Sequence, residues 1–120
     1  MNLIDPTTPE LVSRALDAGA LRHSAIAQNI ANANVTGARA LKVAFEELLG
    51  TVREDVAMGR PVSAQDLPEP QVRYSEAPQA IALDDEVGAL SSNAVHYQAL
   101  IRAIDKQLAL VGLAIHEGKR

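Results

Sequence analysis

Cysteine is absent from this chain of 120 residues, and aromatic side chains are scarce. Without a thiol there is no disulfide, no thiolate metal ligand and no cysteine nucleophile. Phe45, Tyr74 and Tyr97 are the only aromatic residues, whereas alanine occurs 21 times. Because alanine buries little area, we expect a core made of long, close helix contacts rather than of a few bulky anchors.

The chain also lacks basic clusters and long apolar runs. Its formal net charge is −4, and no Lys/Arg cluster exceeds two residues, so we expect no nucleic-acid partner. No stretch approaches 18 uncharged apolar residues, which predicts no membrane-spanning helix. Residues 1–6 have neither a basic region nor an apolar core, so we expect no cleavable secretory signal there.

Residue patterns that support catalysis are missing as well. There is no nucleophile elbow, phosphate loop or dinucleotide fingerprint, and His23, His96 and His116 have no partner at metal-ligand spacing. Residues 84–86 are acidic, but consecutive acids at a helix start usually serve as caps and dipole partners. We therefore expect no enzyme activity, cofactor, metal site or small-molecule substrate.

The last third of the chain carries a regular apolar rhythm. Nine apolar positions, separated alternately by three and four residues, predict a helix over residues 84–116 of roughly 50 Å. We assign them as subunit-packing residues: Val87, Leu90, Ala94, Tyr97, Ile101, Ile104, Leu108, Val111 and Ile115. Tyr97 either fills this seam as a core residue or also bonds a neighbouring subunit through its hydroxyl. An apolar stripe of this length predicts that the chain associates with other subunits.

The C-terminal half of the same helix is apolar beyond this seam. Leu100, Ala103, Leu110, Leu113 and Ala114 lie off it, and a helix that is apolar on several faces expects several neighbours.

An N-terminal helix is predicted over residues 9–33. The same rhythm is present there, although Gly19 and His23 interrupt it. Residues 32–37 end this helix, and Gly37 permits a positive φ angle.

The middle, residues 34–83, is predicted as a turn, a short helix within residues 40–56 and a proline-rich variable loop; residues 71–74 could form a strand. The expected fold is all-α: a single domain, residues 1–120, whose two long terminal helices pack as a helical hairpin or coiled-coil-like unit around a loop-rich middle segment.

The end of the first helix resembles the signature of bacterial flagellar axial proteins, approximately N-I-A-N-x-x-T-P-G-Y-K. Asn29, Ile30, Ala31, Asn32 and Gly37 fit this motif, as does the basic Arg39. Residues 93–98, NAVHYQ, match a family pattern N-x-x-x-Y-Q. Val35, Thr36 and Ala38 depart from the motif, which suggests a diverged member. The chain is most similar to the FlgB family of flagellar basal-body rod proteins, and residues 51–80 are unmatched.

The resemblance implies a structural subunit of the proximal rod that assembles by helix packing into a helical tube. The implied partners are other copies of the chain, other flagellar rod proteins, the rod-to-membrane-ring adaptor and the membrane ring. The implied location is the periplasmic rod of the basal body, reached by type III export without a cleavable signal peptide. The alternative is a small helical export chaperone or regulatory binding module of a secretion or flagellar system.

Overall fold

The computed structural model describes residues 7–76 and 80–118, and it is mostly helical, with 69% of residues in helices. The order of elements is α1 (Thr7–Ala31), β1 (Leu41–Ala44), α2 (Glu46–Ala57), a short 3₁₀ helix (Ala64–Asp66), β2 (Gln71–Tyr74) and α3 (Leu83–Gly118). The expectation of an all-α fold is wrong in one respect, because the middle segment contains a two-stranded sheet.

Helix α1 covers nearly the predicted range. Its alanines favour helix, and Ala18, Ala25 and Ile26 are buried on the side that faces the rest of the chain. Beyond Ala31 the chain turns, and Gly37 adopts a φ of 79°, a left-handed conformation that a glycine permits at this position.

The sheet pairs β1 with β2 in antiparallel register, with Leu41 opposite Tyr74 and Ala44 opposite Gln71. The strand Gln71–Tyr74 coincides with the one that the sequence allowed. The sequence allows a short helix within residues 40–56, but residues 41–44 form β1 instead, and the helix of the middle segment begins at Glu46. The cause is non-local, because β1 exists only through its pairing with a strand about 30 residues away.

Helix α3 is 36 residues long, about 54 Å at 1.5 Å per residue. It runs antiparallel to α1: Asn29 contacts Glu86, Gly19 contacts Asn93, and Val12 lies near Ile104. The molecule is correspondingly elongated, with extents of 65 × 30 × 17 Å. Its radius of gyration is 18.2 Å, against about 14 Å for a compact domain of this length.

The core is small and lies where α1, the sheet and the segment before α3 meet. Its buried apolar residues are Ala18, Ala25, Ile26, Ala44, Phe45, Leu67 and Ile81. Within residues 7–76 and 80–118, no helix is long and apolar enough to cross a membrane.

Candidate interaction surface

The nine predicted packing residues of α3 divide into two sets in the structure. Four are half-buried on the side that faces α1: Leu90, Tyr97, Ile104 and Val111. The other five are exposed: Val87, Ala94, Ile101, Leu108 and Ile115. The predicted seam is therefore only partly covered within the chain.

The stripe of α3 that does contact α1 includes polar residues that hydropathy could not identify. Its half-buried positions also follow three- and four-residue steps: Glu86, Leu90, Asn93, Tyr97, Leu100 and Ile104. Asn93 donates from Nδ2 to the carbonyl oxygen of Gly19 at 2.9 Å, and Glu86 accepts a hydrogen bond from Asn29. Because Glu86 and Asn93 replace Val87 and Ala94 in this stripe, the latter two turn outward.

Gly19 is part of the contact between α1 and α3, although its sequence position indicated an interruption. It is buried, and a Cβ atom built on it would lie 2.7 Å from Cδ2 of Tyr97. Such a distance is shorter than a carbon–carbon contact allows. The absence of a side chain at position 19 therefore makes room for the tyrosine ring.

Asn29 is the inward-facing residue of the motif, with 3% of its surface exposed. Its Oδ1 accepts from the Leu41 amide at 2.8 Å, and its Nδ2 donates to the Leu41 carbonyl at 3.0 Å and to Oε2 of Glu86 at 3.1 Å. One side-chain amide thus joins α1, β1 and α3. Since a buried polar group is costly unless it is paired, this network restricts how the three elements fit together.

The other motif residues lie nearer the surface. Ile30 is half-buried, whereas Ala31, Asn32 and Gly37 are exposed. The amide of Asn32 continues the helix by bonding to Gln28, and the amide of Val35 bonds to the Asn32 carbonyl. The motif therefore combines one buried residue that connects three elements, Asn29, with an exposed turn that ends at Gly37.

An apolar groove of about 350 Å³ opens between α1 and α3 near the start of α1. Its walls come from both helices: Pro9, Val12, Ser13 and Leu16 on α1, and Ile104, Gln107, Leu108 and Val111 on α3. Three of the predicted packing residues therefore line one groove, which is open to solvent.

The end of α3 exposes large apolar side chains in several directions. Leu108 is 64% exposed, Leu110 and Leu113 are both 55% exposed, and Ile115 is 54% exposed. At 100° per residue, Leu110 lies about 160° around the helix from Leu108, so these side chains occupy opposite sides. No charged residue lies between Lys106 and Glu117. A surface of this composition is typical of an interaction site.

The titratable groups form no metal-binding cluster in the part of the chain that the structure describes. No group of three or more His, Cys, Asp or Glu residues could hold a metal ion there. The backbone amide of Ser63, and then its hydroxyl, lower the pKa of the exposed Asp66 through hydrogen bonds. These bonds form a capping box on the 3₁₀ helix, so the shift reflects local structure.

Comparison with protein-family models and with curated protein sequences found no match to this chain.

Proposed function

We propose that this chain is a structural subunit of the proximal rod of the bacterial flagellar basal body, where it assembles by helix packing into a helical tube. The observation that carries the proposal is the apolar end of α3, whose Leu108, Leu110, Leu113 and Ile115 are all more than half exposed. Burying these apolar side chains against a neighbouring subunit removes them from water and stabilises the assembly.

The total surface area supports a subunit that is completed by its neighbours. The chain exposes 8799 Å², whereas a compact monomer of 12.7 kDa exposes about 6,200 Å². The excess of roughly 2,500 Å² reflects the elongated shape of the chain. It leaves more surface for neighbouring subunits to cover than a compact monomer of this mass would offer.

The distribution of the apolar surface favours an open polymer over a closed dimer. Exposed leucines occupy opposite sides of α3, and the groove between α1 and α3 is a separate apolar surface. Different patches that meet on neighbouring copies make heterologous contacts, which generate helical assemblies when the rotation does not close. In this proposal α1 and α3 act as one coiled-coil-like, two-helix unit.

The motif at the end of α1 adds the flagellar part of the proposal. Asn29 links α1 to β1 and α3, while Gly37 turns the chain after α1, so one motif residue helps to hold the two-helix unit together. Following the family resemblance, the partners would be other rod proteins, the adaptor and the membrane ring. The chain would reach the periplasmic rod through the type III export apparatus.

A second candidate is a helical export chaperone or regulatory binding module. The groove lined by Val12, Leu16, Ile104 and Val111 favours it, because an amphipathic partner helix can lay its apolar face into such a groove. This candidate differs from the rod subunit in one testable respect: the chaperone stays outside the finished basal body.

The test is to purify basal bodies from cells that express the chain with an affinity tag and to locate it by mass spectrometry and electron cryomicroscopy. The rod proposal expects the chain in the proximal rod. Leu108→Asp should abolish incorporation, since a buried unpaired charge costs several kcal/mol at every repeated contact. Val56→Asp is the matched control, because Val56 on α2 is 63% exposed and lies outside this surface.

Two results would contradict the proposal. Complete basal bodies that lack the chain would favour the chaperone, and normal incorporation of Leu108→Asp would exclude the end of α3 as a subunit contact.

A further inference from the structure

The two edges of the small sheet differ. Ser75 donates its amide to the Ala40 carbonyl at 2.7 Å, which makes residues 40 and 75 a hydrogen-bonded pair in the antiparallel register. Because such pairs alternate, residues 42 and 73 form the next one. Val72 and Tyr74 therefore point their backbone N–H and C=O groups away from β1.

The outer edge of β1 is occupied at Leu41, whereas the outer edge of β2 has no hydrogen-bond partner among the described residues. The Asn29 side chain bonds both the N–H and the C=O of Leu41, as a neighbouring strand would. No group in residues 7–76 or 80–118 bonds the outward backbone groups of Val72 and Tyr74. Every residue of β2 is exposed.

Two basic side chains that are far apart in the sequence lie side by side on one face of this sheet, and a third lies over the Tyr74 ring on the other face. Lys42 lies directly opposite Arg73, and both are exposed. The Arg39 guanidinium lies 5.8 Å from the centre of the Tyr74 ring and donates to the Ser75 carbonyl. Like charges directly opposite in a sheet are destabilising. No described carboxylate forms an ion pair with Lys42 or Arg73. Glu47 and Glu76 nevertheless line a surface pocket together with these two basic residues.

We propose that the open edge of β2 binds an extended acidic segment of a partner protein by strand addition. Val72 and Tyr74 would each exchange two backbone hydrogen bonds with the added strand. Their side chains lie on one face with Leu41 and Val43, which favours apolar residues opposite them. An acidic residue of the added strand, between the two apolar residues that lie opposite Val72 and Tyr74, would face Arg73 and offset the repulsion between Arg73 and Lys42. The recognised pattern is apolar–acidic–apolar.

A second copy of this chain fits the same edge poorly. The register that uses the outward groups of both Val72 and Tyr74 in each copy would place Arg73 opposite Arg73. The charge on the strand therefore opposes self-pairing and attracts an acidic partner.

The test uses a fluorescein-labelled heptapeptide in which valine and glutamate alternate, with fluorescence anisotropy as the readout. We expect saturable binding below about 1 mM to the full chain. Two control peptides should fail: one with lysine in place of glutamate, and one whose valines are N-methylated and cannot donate hydrogen bonds. These controls leave the protein unchanged, so protein misfolding cannot explain their result.

Protein variants test the two components of the edge. Val72→Pro removes an outward N–H without removing a bond to β1, and it should abolish binding. Arg73→Glu should weaken binding by about tenfold or more. Arg53→Glu is the matched charge control, because Arg53 is exposed on α2, and it should leave binding unchanged.

Three results would overturn the proposal. The first is no binding of the acidic peptide. The second is equal binding of the N-methylated peptide or of Val72→Pro, which would indicate charge attraction without strand addition. The third is a dimer in light scattering that Val72→Pro dissociates, since a second copy would then occupy the edge. Failure here leaves the rod proposal intact, because that proposal rests on α3.

Discussion

The ring of Tyr97 on α3 lies against the backbone of Gly19 on α1, so close that a Cβ atom at position 19 would come 2.7 Å from Cδ2 of the tyrosine. Asn93, one turn earlier on α3, donates a hydrogen bond to the Gly19 carbonyl at 2.9 Å. The two long helices therefore approach closely at a point where α1 offers only backbone.

Replacing Gly19 with alanine tests this contact. Gly19→Ala should lower the free energy of unfolding by about 1–2 kcal/mol, because the added methyl group overpacks against the ring by more than alanine gains in helix propensity. Gly88→Ala is the matched control: Gly88 is also helical, and no described atom beyond its chain neighbours and its own helix backbone lies within 4 Å of the added carbon. This variant should gain up to about 1 kcal/mol in the free energy of unfolding.

Chemical denaturation monitored by far-UV circular dichroism gives both free energies. Adding Tyr97→Leu to Gly19→Ala should recover part of the loss. Equal effects at Gly19 and Gly88 would show that the ring does not constrain Gly19.

Asn29 should be the least replaceable residue of the motif. Asn29→Asp retains the size of the side chain but loses the Nδ2 donor, and it places a carboxylate beside Glu86 and the Leu41 carbonyl. We expect a loss of about 2–4 kcal/mol in the free energy of unfolding. Asn32→Asp, at an exposed position of the same motif, should change it by less than about 0.5 kcal/mol. Similar losses of free energy of unfolding in both variants would refute the role of Asn29 as the residue that connects α1, β1 and α3.

Amide hydrogen exchange should divide α3 into two parts in the isolated chain. Residues 86–104 contain most of the contacts with α1, whereas residues 107–115 expose Leu108, Leu110, Leu113 and Ile115. We expect at least about tenfold faster exchange in the second part, because few contacts resist its opening. Light scattering should show which oligomer is present. Uniform protection of α3 in a monomer would contradict the rod proposal.

The carboxyl group of Asp66 provides a pH test of the middle segment. Its pKa should lie below the ordinary value in an NMR titration, because Ser63 donates hydrogen bonds to the charged form. The stability it contributes is present above the pKa of the unfolded chain and is lost as the pH falls through the lower folded value. Ser63→Ala should raise the pKa only part of the way, since the backbone amide remains. No change in Ser63→Ala would exclude the hydroxyl bond.

The two long helices could be predicted closely from local patterns. Residues 9–33 and 84–116 were expected, and Thr7–Ala31 and Leu83–Gly118 are observed. Helix propensity and apolar spacing depend only on residues that are close together along the chain, so a single sequence is enough to detect them. The left-handed turn at Gly37 was predictable for the same reason, since it depends on the absence of one side chain.

Which face of each helix is covered depended on long-range contacts. Apolar spacing selected Val87 and Ala94, but Glu86 and Asn93 take the inward positions because their partners, Asn29 and Gly19, lie on another helix. The strand Leu41–Ala44 likewise exists through pairing with Gln71–Tyr74, and the basic surface of Lys42 and Arg73 exists only in that register. The sequence by itself therefore determined where the helices lie, through its apolar periodicity. Contacts between distant residues, including these hydrogen bonds, decided which helix faces are covered and which surfaces stay exposed. The sequence could not predict them, because such contacts produce no regular spacing along the chain.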